Sequence, residues 1–286
     1  MAVATLTFGD RVAAEVERKR SQLVVGLDPR PDVLPVELRG DITRFCCGIV
    51  DAVAPHAVAV KPQLAFFEAL GPPGMVAFQE TCAYARRAGL LVIADGKRGD
   101  IGSTARAYST AYLEGDQPVA DALTVNPWLG RESIEPYLAA ARRYGAGIFC
   151  IVKTSNAGGE IQDLTLSDGR PVWQHVAALV TEWGTDLVGE HGLSSVGAVV
   201  GATHPRAVSE ARKLLPQAII LLPGVGAQGA KPGDLARAFT SGPASALVNA
   251  SRSINYAFRD SGEDFRAAAG AEAARLKNEI WNVSGW

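Results

Sequence analysis

At 286 residues, with 48% hydrophobic and 20% charged side chains, the chain can bury a sizeable core and fits one large α/β domain or two small ones. A net charge of −2 at pH 7 leaves no basic footprint for nucleic acid or an anionic membrane, so an anionic ligand would need local positive charge. No apolar run reaches membrane-spanning length, and Asp10, Arg11 and Glu15 stand where a signal peptide needs its apolar segment. These features predict a soluble, cytoplasmic protein. Cys46, Cys47, Cys82 and Cys150 contain no C-x-x-C pair and are read as reduced, buried thiols rather than metal ligands.

Phe8 to Lys19 has helical spacing and precedes a first apolar run, Gln22 to Asp28, which the prolines of Asp28-Pro29-Arg30-Pro31 stop. A helix over Asp41 to Val53 leads to a strand at Ala57 to Val60 that ends in Lys61-Pro62. A helix over Pro73 to Ala88 then leads to a strand at Leu90 to Ala94. Ile101 to Ala105 opens the next helix, with Ser103 or Thr104 as its cap. Ala122 to Val125 ends in Asn126-Pro127 and is followed by a helix over Ile134 to Tyr144. Gly147 to Val152 runs into Lys153-Thr154-Ser155-Asn156, and Glu160 to Gly169 is a polar excursion before a long helix over Val172 to Glu190. Val196 to Val200 precedes a helix over Pro205 to Leu215. Ala218 to Leu222 precedes Pro223 to Gly229 and a helical stretch over Asp234 to Phe239. Ala246 to Asn249 precedes Ala250-Ser251-Arg252 and a closing helix over Glu263 to Trp281. Trp173, Trp183 and Trp281 fall at helical positions and are expected to pack.

Eight short apolar runs, each followed by a loop and a helical pattern, predict a (β/α)₈ barrel that takes up residues 1–286 as a single domain. A doubly wound open sheet is disfavoured because no G-x-G-x-x-G follows the first run. In such a barrel the active site lies at the C-terminal ends of the strands. Polar residues do follow the runs: Asp28, Lys61, Asp95 with Lys97, Asn126, Thr154 to Asn156, Thr203 with His204, Gln228, and Ser251 with Arg252. The loops after the last two strands have a phosphate-binding character. Pro223 to Gly229 is glycine-rich, so its amides can turn toward an anion, and Arg252 can add a bidentate contact.

The most informative stretch is Leu90 to Ala105, LLVIADGKRGDIGSTA. If the chain stays extended beyond Ala94, Asp95 and Lys97 project to one side, placing a carboxylate beside an ammonium at a strand mouth. The pattern D-x-K-x-x-D-I at Asp95, Lys97, Asp100 and Ile101 resembles the motif of the orotidine 5′-phosphate decarboxylases, and GKRGDIGSTA resembles their longer bacterial, type 2 branch. The resemblance extends from Asp28 to Arg252, with one departure at Ala157, where relatives often carry proline.

The resemblance implies decarboxylation of orotidine 5′-monophosphate to uridine 5′-monophosphate and CO₂, the last step of de novo UMP synthesis, without cofactor or metal. It implies that Lys97 stabilises charge at C6 and delivers the proton, that Asp95 faces the departing carboxylate, and that Asp100 holds Lys97 charged. Asp28 and Lys61 would bind ribose, Ser155 the pyrimidine, and Pro223, Val225, Gln228, Ser251 and Arg252 the phosphate side. Asp100, Ile101 and Thr104 would reach a neighbouring subunit's site, which implies a homodimer. Two rivals remain at this stage: a Mg²⁺-dependent sugar-phosphate enzyme sharing D-x-K-x-x-D, and a catalytically silent nucleotide-binding barrel. His56, His175, His191 and His204 show no pairing at metal-ligand spacing and are assigned structural or surface roles.

Overall fold

Eight parallel strands close on themselves in chain order in the computed structural model, which describes residues 6–156, 158–225 and 229–286. The strands are β1 (Leu23–Leu27), β2 (Ala59–Pro62), β3 (Leu91–Arg98), β4 (Ala122–Val125), β5 (Gly147–Lys153), β6 (Ser194–Val200), β7 (Ala218–Pro223) and β8 (Ala246–Ala250). Most of their residues are buried, as parallel strands covered on both faces require. The helices are α1 (Phe8–Lys19), α2 (Ile42–Val53), α3 (Leu64–Glu68), α4 (Gly71–Arg87), α5 (Gly102–Leu113), α6 (Arg131–Tyr144), α7 (Val172–Trp183), α8 (Pro205–Leu214), α9 (Arg252–Asn255), α10 (Phe258–Ser261) and α11 (Phe265–Ser284). This is the (β/α)₈ barrel the sequence predicts. No helix among the described residues is long and apolar enough to cross a membrane.

Local signals set several helix ends. Thr7 Oγ1 accepts the Asp10 N–H to cap α1, and Asp41 Oδ1 accepts the Arg44 N–H to cap α2. Other boundaries depart from expectation for physical reasons. Neither Ser103 nor Thr104 caps α5: Ile101 holds that position without a side-chain bond, because Gly102 turns at a φ of 55° and starts the helix earlier. The long helix expected over Val172 to Glu190 stops at Trp183. There the chain passes close to β6, where a Cβ on Gly184 would lie 2.4 Å from Ser194 Oγ and 3.2 Å from Val196 Cβ. The stretch at Asp234 to Phe239 is a 3₁₀ helix beginning at Pro232, and Asp264 caps α11. Trp173 and Trp183 are buried as expected, and Trp281 packs against the inner core.

Two cores share the strands. The outward side chains pack against the helices in one continuous cluster. The inward ones, among them Val24, Ala59, Ile93, Ala122, Phe149 and Leu247, fill the barrel together with Phe8, Val12 and Val16 of α1. Helix α1 therefore plugs the N-terminal end of the barrel, with Phe8 edge-on to Phe149 at 5.8 Å. That contact needs space at the start of β5, where a Cβ on Gly147 would come within 2.3 Å of the Phe8 ring. We expect Gly147→Ala to lower stability by about 1–3 kcal/mol through overpacking. Denaturant unfolding measures this, and an unchanged midpoint would show that α1 is not seated against the barrel floor.

Candidate active site

Strand side chains alternate with period two, and this turns separate strands into one polar layer. Ala59, Ile93, Ala122 and Leu247 belong to the inner core. Two residues further along their strands, Lys61, Asp95, Thr124 and Asn249 line a cavity of about 320 Å³ at the C-terminal mouth. That volume lies within the usual range for small-molecule sites, about 300–1,000 Å³.

Asp95 is the centre of this layer. It is only 5% exposed, and its two oxygens accept four hydrogen bonds. Oδ2 accepts from Lys61 Nζ at 2.5 Å and Gln63 Nε2 at 3.0 Å, while Oδ1 accepts from Lys97 Nζ at 2.6 Å and Thr124 Oγ1 at 3.0 Å. Burial alone would push the Asp95 carboxyl up, but the Lys61 and Lys97 ammonium groups prevail and hold it well below the usual carboxylate range. Burial likewise works against the Lys61 ammonium, and Asp95 with Asp28 outweighs it, so the Lys61 pKa is raised. The side chain of Lys97 is half exposed toward the cavity. The arrangement amounts to two ammonium groups held apart by one carboxylate, with one ammonium left accessible to a ligand.

The rim of the cavity brings together Asp28, Ser155, Pro223, Val225, Ser251 and Arg252. Helix α9, which begins at Arg252, is laced to the end of β1. Asn255 Nδ2 donates to the Gly26 carbonyl at 2.7 Å, and Tyr256 Oη donates to the Asp28 carbonyl at 2.7 Å. Glycine at 26 is required because a Cβ there would lie 1.8 Å from Ser251 Oγ. Arg252 itself is exposed at the lip. On the opposite side, Gly201 lets the chain after β5 pass closely, since a Cβ there would fall 2.7 Å from Ser155 Cα. Val225 pairs with Ala230 in a bridge that pinches the base of the loop after β7. Gln228, expected on the phosphate side, lies outside the described residues, as does Ala157.

Some expected residues are not gathered here. Asp100, Ile101 and Thr104 do not line this chain's cavity. Within the chain, Asp95 rather than Asp100 bonds Lys97, and Asp100 Oδ1 accepts the N–H of its neighbour Ile101 at 2.8 Å. Asn126, although it follows a strand, caps the turn Pro127–Leu129 by accepting the Trp128 N–H. Thr203 and His204 line a separate surface depression, although Thr203 Oγ1 donates to the Ser155 carbonyl at 3.2 Å and so braces the rim from outside. Other residues at the site escaped the sequence reading. Gln63 and Thr124 bond Asp95, and period-two counting from inward apolar residues could have found Thr124. Gln162, in the excursion after β5, accepts the Thr154 N–H with Oε1 at 2.9 Å and donates from Nε2 to Thr154 Oγ1 at 2.9 Å. Its neighbour Asp163 pairs with the buried Lys153. The excursion therefore anchors the segment that carries Ser155. Nothing in its polar composition signals that role.

The family model described as orotidine 5′-phosphate decarboxylase / HUMPS family matches residues 21–267. The orotidine 5′-phosphate decarboxylase of Rhodopirellula baltica is 47% identical over 92% of this chain and 92% of its own. That of Deinococcus radiodurans is 46% identical over 98% of this chain and 99% of its own. The OMP decarboxylase structure of Leishmania donovani superposes with a TM-score of 0.80 at 29% identity, covering 98% of this chain and 100% of that one. On the match of the family model and of these relatives, the chain belongs to the orotidine 5′-phosphate decarboxylase / HUMPS family.

Proposed function

We propose that this chain is an enzyme that decarboxylates orotidine 5′-monophosphate to uridine 5′-monophosphate and CO₂, completing UMP synthesis. The observation that carries the reading is the Lys61–Asp95–Lys97 array, its first two members buried and its third accessible, at the mouth of a cavity of about 320 Å³. Loss of CO₂ leaves an electron pair on C6 of the pyrimidine, and the chemical problem is to stabilise it. A charge array fixed before the reaction does this without reorganisation. Asp28 and Asp95 offset the two ammonium groups, and the accessible Lys97 ammonium is the positive end of the array that faces the carbon where negative charge develops.

In this reading Lys97, the accessible ammonium, faces C6, lowers the energy of the carbanion and gives it a proton to form the C6–H bond. Asp95 faces the substrate carboxylate, whose departure relieves like-charge repulsion. Lys61 and Asp28 bind the ribose hydroxyls, and Ser155 contacts the pyrimidine. Arg252 and Ser251, with Pro223, Val225 and Gln228 of the glycine-rich loop, hold the phosphate. The binding energy of that remote group is then available to orient the ring. The charge comes from the protein's own side chains, with neither cofactor nor metal.

We also read residues 1–286 as one catalytic domain that works as a homodimer. Ile101, Trp128 and Leu129 expose 49%, 66% and 52% of their surface on the neighbouring loops after β3 and β4, an apolar rim that suits burial against a second copy. Asp100, Ile101 and Thr104 on that rim would then complete the partner's site. A cytoplasmic location fits the free thiols, of which Cys46, Cys82 and Cys150 are buried.

The test is to mix the purified, chelator-treated chain with orotidine 5′-monophosphate and follow uridine 5′-monophosphate and CO₂. Turnover that survives the chelator is the expected result, and activity that needs added Mg²⁺ would favour a sugar-phosphate enzyme. Lys97→Ala should lower kcat by at least about 10³-fold while the variant still binds uridine 5′-monophosphate. Near-normal turnover would remove Lys97 as proton donor. Arg252→Ala should lower kcat/KM by about 10- to 100-fold, the loss of one charged hydrogen bond, and an unchanged value would take Arg252 out of the phosphate site.

Stability should report the same charges. The depressed Asp95 pKa means that its contribution is complete above its ordinary value of 3.8 and fades as pH falls below that value toward the folded pKa. The raised Lys61 pKa means that its contribution is complete below its ordinary value of 10.5 and fades as pH rises beyond it. Asp95→Asn strands the Lys61 ammonium and should cost about 3–5 kcal/mol at neutral pH. Burial then favours the neutral amine, so the unfolded chain binds the extra proton and the deficit should shrink by about pH 9.5. Denaturant midpoints at the two pH values check this, and a deficit independent of pH would contradict the charge account.

A further inference from the structure

Lys97 is one of three non-glycine residues with positive φ among those described, at 45°. Side chains rarely adopt that conformation, and surrounding structure has to hold it. The ladder between β3 and β4 does not do so, because its register shifts between Ala94 and Arg98 and resumes only where Arg98 meets Val125. One side chain spans the gap. Thr124 is 1% exposed, and its Oγ1 accepts the Lys97 N–H at 2.9 Å while donating to Asp95 Oδ1 at 3.0 Å. A hydroxyl has one proton and two lone pairs, so it can serve both groups at once. The same atom thus fixes where the Lys97 backbone turns and where the carboxylate that receives its ammonium lies.

We propose that Thr124 is a positioning residue for the decarboxylation, one that holds the Lys97 backbone left-handed so that the ammonium meets Asp95 and the substrate from a fixed direction. The proposal rests on the reading of Lys97 as proton donor. It differs from a merely structural role, in which the hydroxyl satisfies two buried groups and the reaction is indifferent to it. Valine matches threonine in shape and makes neither bond, whereas serine keeps the hydroxyl and drops the methyl.

The experiment compares the wild type, Thr124→Val, Thr124→Ser and Lys97→Ala for kcat and KM, for binding of uridine 5′-monophosphate, and by crystallography. Thr124→Val should lower kcat by about 10- to 100-fold, the effect of a displacement near 1 Å at a reacting group, with KM and product binding little changed. Its structure should show Lys97 with negative φ or its ammonium moved from Asp95, and Thr124→Ser should recover most of the lost rate. Full kcat in Thr124→Val, or Thr124→Ser as impaired as Thr124→Val, would overturn the proposal. A Thr124→Val structure in which Lys97 is unmoved would overturn it too. Should Thr124→Val fail to fold, Thr124→Ala supplies the same comparison with serine. Lys97→Ala separates the two levels: an active Lys97→Ala rejects the proton-donor reading, whereas an inactive Lys97→Ala beside a fully active Thr124→Val rejects the positioning role alone.

Discussion

A carboxylate held out of water between two ammonium groups is the interaction on which the site depends. Asp95 could not remain ionised at 5% exposure without compensation, because desolvating a lone carboxylate costs several kcal/mol. Each opposite charge at about 4 Å returns roughly 4 kcal/mol at an effective dielectric of about 20. Two further hydrogen bonds, from Gln63 and Thr124, fill the remaining acceptor capacity of the carboxylate. The result is a polar layer that tolerates burial and yet keeps one ammonium, that of Lys97, accessible at the cavity mouth.

The barrel supplies the geometry that makes this possible. On β2, β3, β4 and β8 the inner positions are apolar low in the strand and polar two residues later, so Lys61, Asp95 and Thr124 meet without any of them being close in sequence, while Ile151, Val199 and Leu221 keep the opposite wall apolar. Rigid strands set these side chains within hydrogen-bonding distance, and α1 closes the opposite end against water. The rim is held differently, by loops tied back to the strands. Asn255 and Tyr256 bind the β1 end, Gln162 binds Thr154, and Gly26 and Gly201 allow close passage. Deep charges on strands and adaptable contacts on loops match a reaction that needs a fixed electrostatic field together with capture of a flexible phosphate ester.

The sequence carried much of this in readable form. Eight apolar runs with intervening helical patterns specify the barrel because each short run is buried on both faces. Asp95 and Lys97 were placed on one side by strand periodicity, and they do meet, although Lys97 reaches Asp95 through a left-handed backbone rather than an ideal strand. Thr124 lay hidden inside the run Ala122 to Val125, where a threonine among apolar residues reads as ordinary strand filler. Asn126 and His204 misled because a residue just past a strand can cap a turn or face outward as readily as it can face the cavity. Gln162 was illegible because its role comes from an excursion folding back on β5, a long-range contact that local composition does not encode.

The most direct measurement is a crystal structure of this protein bound to a uridine 5′-monophosphate analogue that carries an anionic oxygen at C6. The account predicts Lys97 Nζ within about 3 Å of that oxygen, with Asp95 still bonded to Lys61 beneath it. A complex in which the anion meets another group, while Lys97 points out of the cavity, would contradict it.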